Sequence, residues 1–271
     1  MATTISCPFF LKTIYPCIPT VRENAQDNFD IDHWKVIDAL PSYGQGLDLA
    51  CQRYLSLMMG ESLSDVVITD DNGTIDGQGA IWWNSFDSNT LNHSRPHIVE
   101  FINSKDIVIS NITFLNSSAW AIHPVGILTF RNVIVQNITA VSPIESTFTS
   151  GIVPHSSNAV CIGNSNITMG HDAISLKSEW DEYGSAYRKP TTNVHIKGVR
   201  LQLFRRSALA LGSEMSGGDL GSSRGKRRGC YVKSVFISDV EFKNVLLRIT
   251  LTGDSKFHPD EKYNPEAIPV A

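Results

Sequence analysis

Apolar and polar residues alternate with a period of two in short runs along this chain, and each run breaks at the same kind of residue. The phrases VISNITF (108–114), IVQNITA (134–140), GNSNITM (163–169), HIKGVRL (195–201) and FISDVEF (236–242) all carry Asn, Gly or Asp directly before Ile or Val. Alternation over so few residues reads as a half-buried strand, and a turn-former inside it as a bend between two strands. VVITDDNGTIDGQG (66–79) is a looser copy. Counted from the aliphatic residue after the turn-former (Ile112, Ile138, Ile167, Val199, Val240), the steps are 26, 29, 32 and 41 residues.

Steps of roughly 20–30 residues with several short strands in each predict a parallel β-helix, an all-β solenoid whose coils stack around an inward row of Ile, Val, Leu and Phe. Six to eight coils are expected, with strands at 107–114, 133–139, 160–169, 194–201 and 232–245. Helical periodicity is offered by 31–60 alone, too little for doubly wound βα units. A β-sandwich needs more hairpin signals than the one clean NG at 72–73. A leucine-rich horseshoe lacks its consensus. The 41-residue step fits neither one coil nor two, and its middle, GGDLGSSRGKRRGC, has no strand pattern. A coil is expected to be missing there.

Composition narrows the function classes. A chain of 271 residues suffices for one large domain, and 42% hydrophobic with 18% charged residues argues against disorder. A formal net charge of -4 supplies no basic field for nucleic acid. The longest apolar runs, such as VGILTF and SALALG, fall far short of the ~20 residues of a membrane span. ISCPFFL near the start has no basic residue before it and makes no convincing signal peptide. The five cysteines (Cys7, Cys17, Cys51, Cys161, Cys230) form no CxxC, so a structural zinc site is not expected. Buried thiols and one or two disulfides both fit them. Six acceptor sequons, at Asn72, Asn92, Asn111, Asn116, Asn137 and Asn166, point to the secretory route. Asn-Ile-Thr is equally a turn-and-strand phrase.

The outer face of such a solenoid, where equivalent positions of successive coils line up, is where a ligand would bind. Asp172, in GHDAISLKSEWDEYG, is placed as one of a pair of acids, the requirement for general acid/base hydrolysis, although a lone Asp is also a common turn or cap residue. Lys177 alternates with Ile174 and Leu176 and so can face outward with Asp172 or pair with it. Trp180 and Tyr183, interleaved with Glu179, Asp181 and Glu182, suit an aromatic platform for a sugar ring, or a solvated loop with one aromatic packed down. RGKRRG (224–229) reads as a flexible basic loop or a polyanion contact through Arg224 and Lys226.

HWKVIDALPSYGQG, DNGTIDGQGAIWW, SRPHIVEF, KSEWDEYG and GSEMSGG together resemble the plant polygalacturonase-like members of glycoside hydrolase family 28, over about residues 33–267. The resemblance implies a right-handed, single-stranded parallel β-helix of the pectin-lyase-like kind. It also implies hydrolysis of α-1,4-galacturonosyl bonds of pectin with inversion, no cofactor or metal, and action at the cell wall outside the cell. Residues 1–32 match poorly and are expected to be irregular, with 33–271 an incomplete β-helix. The usual leader, the first part of the fold, one coil and a longer C-terminal region are expected to be absent, leaving coil ends open to self-association.

The family's Asn-Thr-Asp-Gly motif reads Phe148, Thr149, Ser150, Gly151 here, so Ser150 stands in a catalytic acid position. Its Gly-Asp-Asp reads Gly170, His171, Asp172, which keeps the second acid only. His155 replaces the Asp of the Pro-Asp-Ser-Ser phrase, and Gly212, Ser213 and Glu214 stand where microbial members carry a histidine motif. The resemblance therefore assigns Asp172, His171 and Ser150 to the catalytic positions, and the candidate substrate contacts are His155 and Glu214 together with Lys177, Trp180 and Tyr183 from the reading of the residues. Inversion needs an acid and a base ~6.5–9.5 Å apart across the sugar. With one acid in place, little or no turnover is expected, and a non-catalytic carbohydrate-binding or structural β-helix is the alternative.

Overall fold

The computed structural model describes residues 31–40, 52–126, 131–177, 189–203 and 207–211, and the structural account concerns these. A single 3-10 turn at Ile31–His33 leads into β1 (Val36–Asp38), which pairs antiparallel with β2 (Gln52–Tyr54). Over the described parts of 31–60 the helical expectation is thus corrected, and 41–51 lie outside the described residues. The α-helix of the described residues is α1 (Ala80–Asp87), which buries Trp82 and Trp83.

The rest is a coil, repeated. The first turn supplies β3 (Met58–Glu61) and β4 (Ser64–Asp76), and the second β5 (Val99–Ile102) and β6 (Lys105–Leu115). The third supplies β7 (Trp120–Val125), β8 (Arg131–Gln136) and β9 (Thr139–Val141). The fourth repeats them as β10 (Ser150–Ile152), β11 (Asn158–Gly163) and β12 (Asn166–Met169). The fifth gives β13 (Ile174–Leu176), β14 (Thr192–Lys197) and β15 (Arg200–Leu203), and β16 (Leu209–Leu211) opens a sixth. One parallel sheet runs β3-β5-β7-β10-β13-β16, and a second unites β4, β6, β8, β9, β11, β12, β14 and β15. Every pairing in both is parallel, as in the parallel β-helix the repeats predict and the right-handed one the resemblance implies. No described helix is long and apolar enough to cross a membrane.

Equivalent side chains of successive coils stack inward: Val99, Ile122, Ile152 and Ile174 in one row, Ile107, Val133 and Val160 in another. All seven are essentially buried, each contributing about 1.5–3 kcal/mol. The bends are built by residues that tolerate a left-handed backbone. Asn111, Asn137, Asn164 and Gly198 all have positive φ at one register position, and Asp65, Asp106, Asn132, Ala159 and Asn193 at another. Asx side chains enter that region most readily after glycine. Ala159, at φ +58, is the exception in its row.

Two expectations are revised by register. Ile167 does not continue the series Ile112, Ile138: it lies opposite Ala140, which lies opposite Phe114. The equivalent residue is Ser165, so the steps through Val199 become 26, 27 and 34 residues. The NG at 72–73 is no hairpin but an irregularity within β4, which pairs in parallel with β6 on both sides of it. Of the sequon asparagines, Asn111 bends the backbone within β6, Asn137 sits in the bend before β9 and Asn166 lies in β12. All three are exposed, as are Asn72 and Asn92, and Asn116 is half-buried with its amide donated to Asp76. Cys161 is disulfide-bonded, which corrects the free-thiol reading for that residue. Residues 1–30, the strand expected at 232–245 and the proposed missing coil lie outside the described residues.

Candidate active site

The sheet β3-β5-β7-β10-β13-β16 carries the polar groups. Its register aligns the residues before each strand core. Trp120 is opposite Ser150, and the pairing of Ile152 with Ile174 sets Ser150 opposite Asp172 on the next coil. Neighbouring strands lie about 4.8 Å apart, so Ser150 and Asp172 are adjacent rungs. Both are nearly inaccessible, at 3% and 5% exposure. The segments are tied by the Gly151 N–H donating to the Asp172 carbonyl and the His171 N–H to that of Thr149, each at 3.0 Å.

Asp172 is held as a carboxylate. Its Oδ1 accepts the Ser207 N–H at 3.0 Å, and its Oδ2 lies 3.3 Å from His171 Nδ1. Burial alone raises its pKa, but the hydrogen bond and charge of His171, the Ser207 N–H and the Lys177 ammonium outweigh burial and hold it below the usual value. A carboxyl group so stabilised in its ionised form carries no proton to donate, so the base role is the one open to it. Lys177 is buried, with Nζ 5.1 Å from the Trp120 ring centroid. Burial brings its pKa down to about 8 although Asp172 pulls the other way. Lys177 is thus buried and does not face outward, and it lies in the field of Asp172.

Beside this pair runs a buried polar spine that the sequence reading did not assign. Arg53 donates to Glu100 Oε2 at 2.5 Å, and Ser56 Oγ donates to the same oxygen at 2.8 Å. Glu100 Oε1 lies 3.2 Å from His123 Nδ1, and His123 Nε2 lies 3.4 Å from His155 Nδ1. His97 stacks on Trp120 at 4.7 Å between centroids and accepts the Trp120 N–H at Nδ1. Burial first, then surrounding charge, holds His97 and His123 well below the ordinary histidine range, so both are neutral. His155, a substrate-contact expectation, is fully buried as the register partner of Val125 and Lys177 and acts as the end of this spine.

His97, Glu100 and His123 present ligand atoms within 4.8 Å of one another, a spacing from which a metal could be chelated. The charges oppose it. Glu100 is already answered by Arg53, and Arg53, Arg95 and Lys177 all bear on the two imidazoles. The group is better described as a hydrogen-bonded support for Trp120 and Lys177.

Ser150, His171, Asp172, His155 and Lys177 are therefore brought together on one sheet. Trp180, Tyr183 and Glu214, with Arg224 and Lys226, lie outside the described residues. Two signals for the spine were present in the sequence: a glutamate inside the apolar run HIVEFI and a histidine inside WAIHPV.

The profile of Glycosyl hydrolases family 28 matches residues 49–207. A probable polygalacturonase of Vitis vinifera is 42% identical over 257 residues, covering 89% of this chain and 52% of that protein. An exopolygalacturonase of Platanus acerifolia is 32% identical over 114 residues, 41% of this chain and 29% of that protein. The chain thus spans about half the length of the Vitis relative. Among solved structures, a hyperthermoactive exopolygalacturonase from Thermotoga maritima superposes with a TM-score of 0.50 at 22% identity, over 66% of this chain and 46% of that one, a likeness of fold.

Proposed function

This chain belongs to glycosyl hydrolases family 28, and on that premise we propose that it acts on the α-1,4-galacturonan of pectin in the cell wall, outside the cell, binding the acidic chain and hydrolysing it slowly. The observation that carries the reading is a buried ammonium, Lys177, lying against Trp120 and within the electrostatic reach of one ionised carboxylate, Asp172. Lys177 supplies a desolvated cation for a uronate carboxylate, and the buried Trp120 indole packs behind it.

The chemistry is limited by what stands next to Asp172. In an inverting hydrolysis the ionised carboxylate removes a proton from water as the oxygen attacks the anomeric carbon, while a second group protonates the leaving oxygen. Asp172 suits the first task. At the adjacent rung Ser150 offers a hydroxyl, which cannot supply the proton a carboxylic acid would. The His171 imidazole does not take its place, because its Nδ1 lies 3.3 Å from Asp172 and not across the sugar from it. A missing positioned acid or base lowers rate by about 10²–10⁴-fold.

Substrate class is tested by titrating the purified chain with polygalacturonate, fully methyl-esterified pectin and neutral galactan. Binding that is strongest to polygalacturonate and weakened by Lys177→Met supports the proposal. Equal binding to all three, or none, overturns it.

A further inference from the structure

Phe148 is an outlier in two respects. Its φ is +52, a left-handed backbone that is rare for a bulky side chain and is held only where surrounding structure enforces it. It is also 45% exposed, although large and apolar. The surroundings that enforce it can be named. Its ring meets Phe86 of α1 edge-on at 5.7 Å, and Phe86 lies under the Arg95 guanidinium at 4.4 Å. Arg95 Nη1 donates to the carbonyls of Ser118 and Thr147, and Thr147 Oγ1 donates to Asp87 Oδ2 at the end of the same helix. The loop before β10 is thereby tied to α1 through Thr147 and the Phe148 ring itself.

What the clamp presents is a ring beside the reacting group. The Phe148 centroid lies 5.2 Å from that of His171, whose Nδ1 is in contact with Asp172.

We propose that Phe148 is a sugar-stacking platform, a specificity-determining residue that packs against the apolar face of a galacturonosyl ring at the subsite adjoining Asp172. The chemistry of the ring fits. The axial O4 of a galacto-configured pyranose leaves C3–H, C4–H and C5–H together on one face, and an aromatic face receives such C–H groups. The platform rests on the galacturonan reading above and deepens it, since it names the residue that selects ring configuration.

The test compares Phe148→Gly, Phe148→Asn and Phe148→Tyr for binding of a galacturonic acid hexamer by calorimetry, with thermal melts alongside. Gly and Asn both accept the left-handed backbone, so relief of strain offsets the lost Phe86 contact and folding is retained in at least one of them. Both ring-less variants are expected to bind about three- to tenfold more weakly, while Phe148→Tyr stays near the parent. Ring-less variants that bind as the parent does would overturn the platform and leave the substrate reading standing. A parent chain that binds no hexamer would overturn both.

Discussion

Replacing Glu100 by Gln keeps the shape of the side chain and removes the charge on which the buried spine depends. The glutamate is fully inaccessible and Arg53 is 8% exposed, so the substitution strands a guanidinium where water cannot solvate it. It also weakens the hydrogen bonds that Glu100 takes from Ser56 and shares with His123. Breaking one partner out of a buried pair costs about 3–5 kcal/mol, a large part of the 5–15 kcal/mol by which a domain is stable. For a chain of this size that corresponds to a fall in Tm of roughly 6–20 °C. The assay is urea denaturation followed by tryptophan fluorescence, in a cycle with Arg53→Met. Glu100→Gln is expected to be strongly destabilising, and Arg53→Met/Glu100→Gln less so than Glu100→Gln alone, because the second change removes the stranded charge. A loss below ~1 kcal/mol, or strict additivity in the cycle, would refute the claim that this pair is a desolvated support for the site.

Ala159→Gly and Ala159→Asn should each stabilise the fold by about 0.5–1 kcal/mol, because Ala159 carries φ +58 in a row whose other members are Asp or Asn. A raised urea midpoint at unchanged m-value is the expected readout. Binding of polygalacturonate should weaken as pH rises through about 8, where the Lys177 charge is lost, and Lys177→Met should flatten that dependence. The stability change has the opposite sign. The folded pKa of Lys177 lies below its unfolded value of 10.5, so the unfolded chain binds more protons between about 8 and 10.5 and this residue's contribution to stability rises across that window. A Tm series over the same pH range, compared with Lys177→Met, isolates it.

The coil was legible because its determinants are local. Asn, Asp or Gly at the bend and an aliphatic residue just after it state the geometry in two adjacent residues, and Asn111 and Asn137 behave accordingly. The third copy misled because the same tripeptide occurs at two registers: Asn164 makes the turn, and the Asn-Ile-Thr that follows begins in the strand. A tripeptide cannot report which of two nearby asparagines adopts a left-handed backbone. Ser150 and Asp172 were singled out by the resemblance, and the register sets them on adjacent rungs. The spine was not. Arg53, Glu100, His123 and His155 come from four coils or their approaches, and only stacking brings them within hydrogen-bond reach. Phe148 was noted for the motif it interrupts, whereas its exposure and backbone strain are properties of the folded loop alone.

The central claim is that Asp172 works without a second carboxylate, and the rate of reducing-end release from polygalacturonate by the purified chain, set against Asp172→Asn, tests it most directly. The account predicts slow release by the parent, abolished by Asp172→Asn while binding persists; rapid release, or release that survives the substitution, would contradict it.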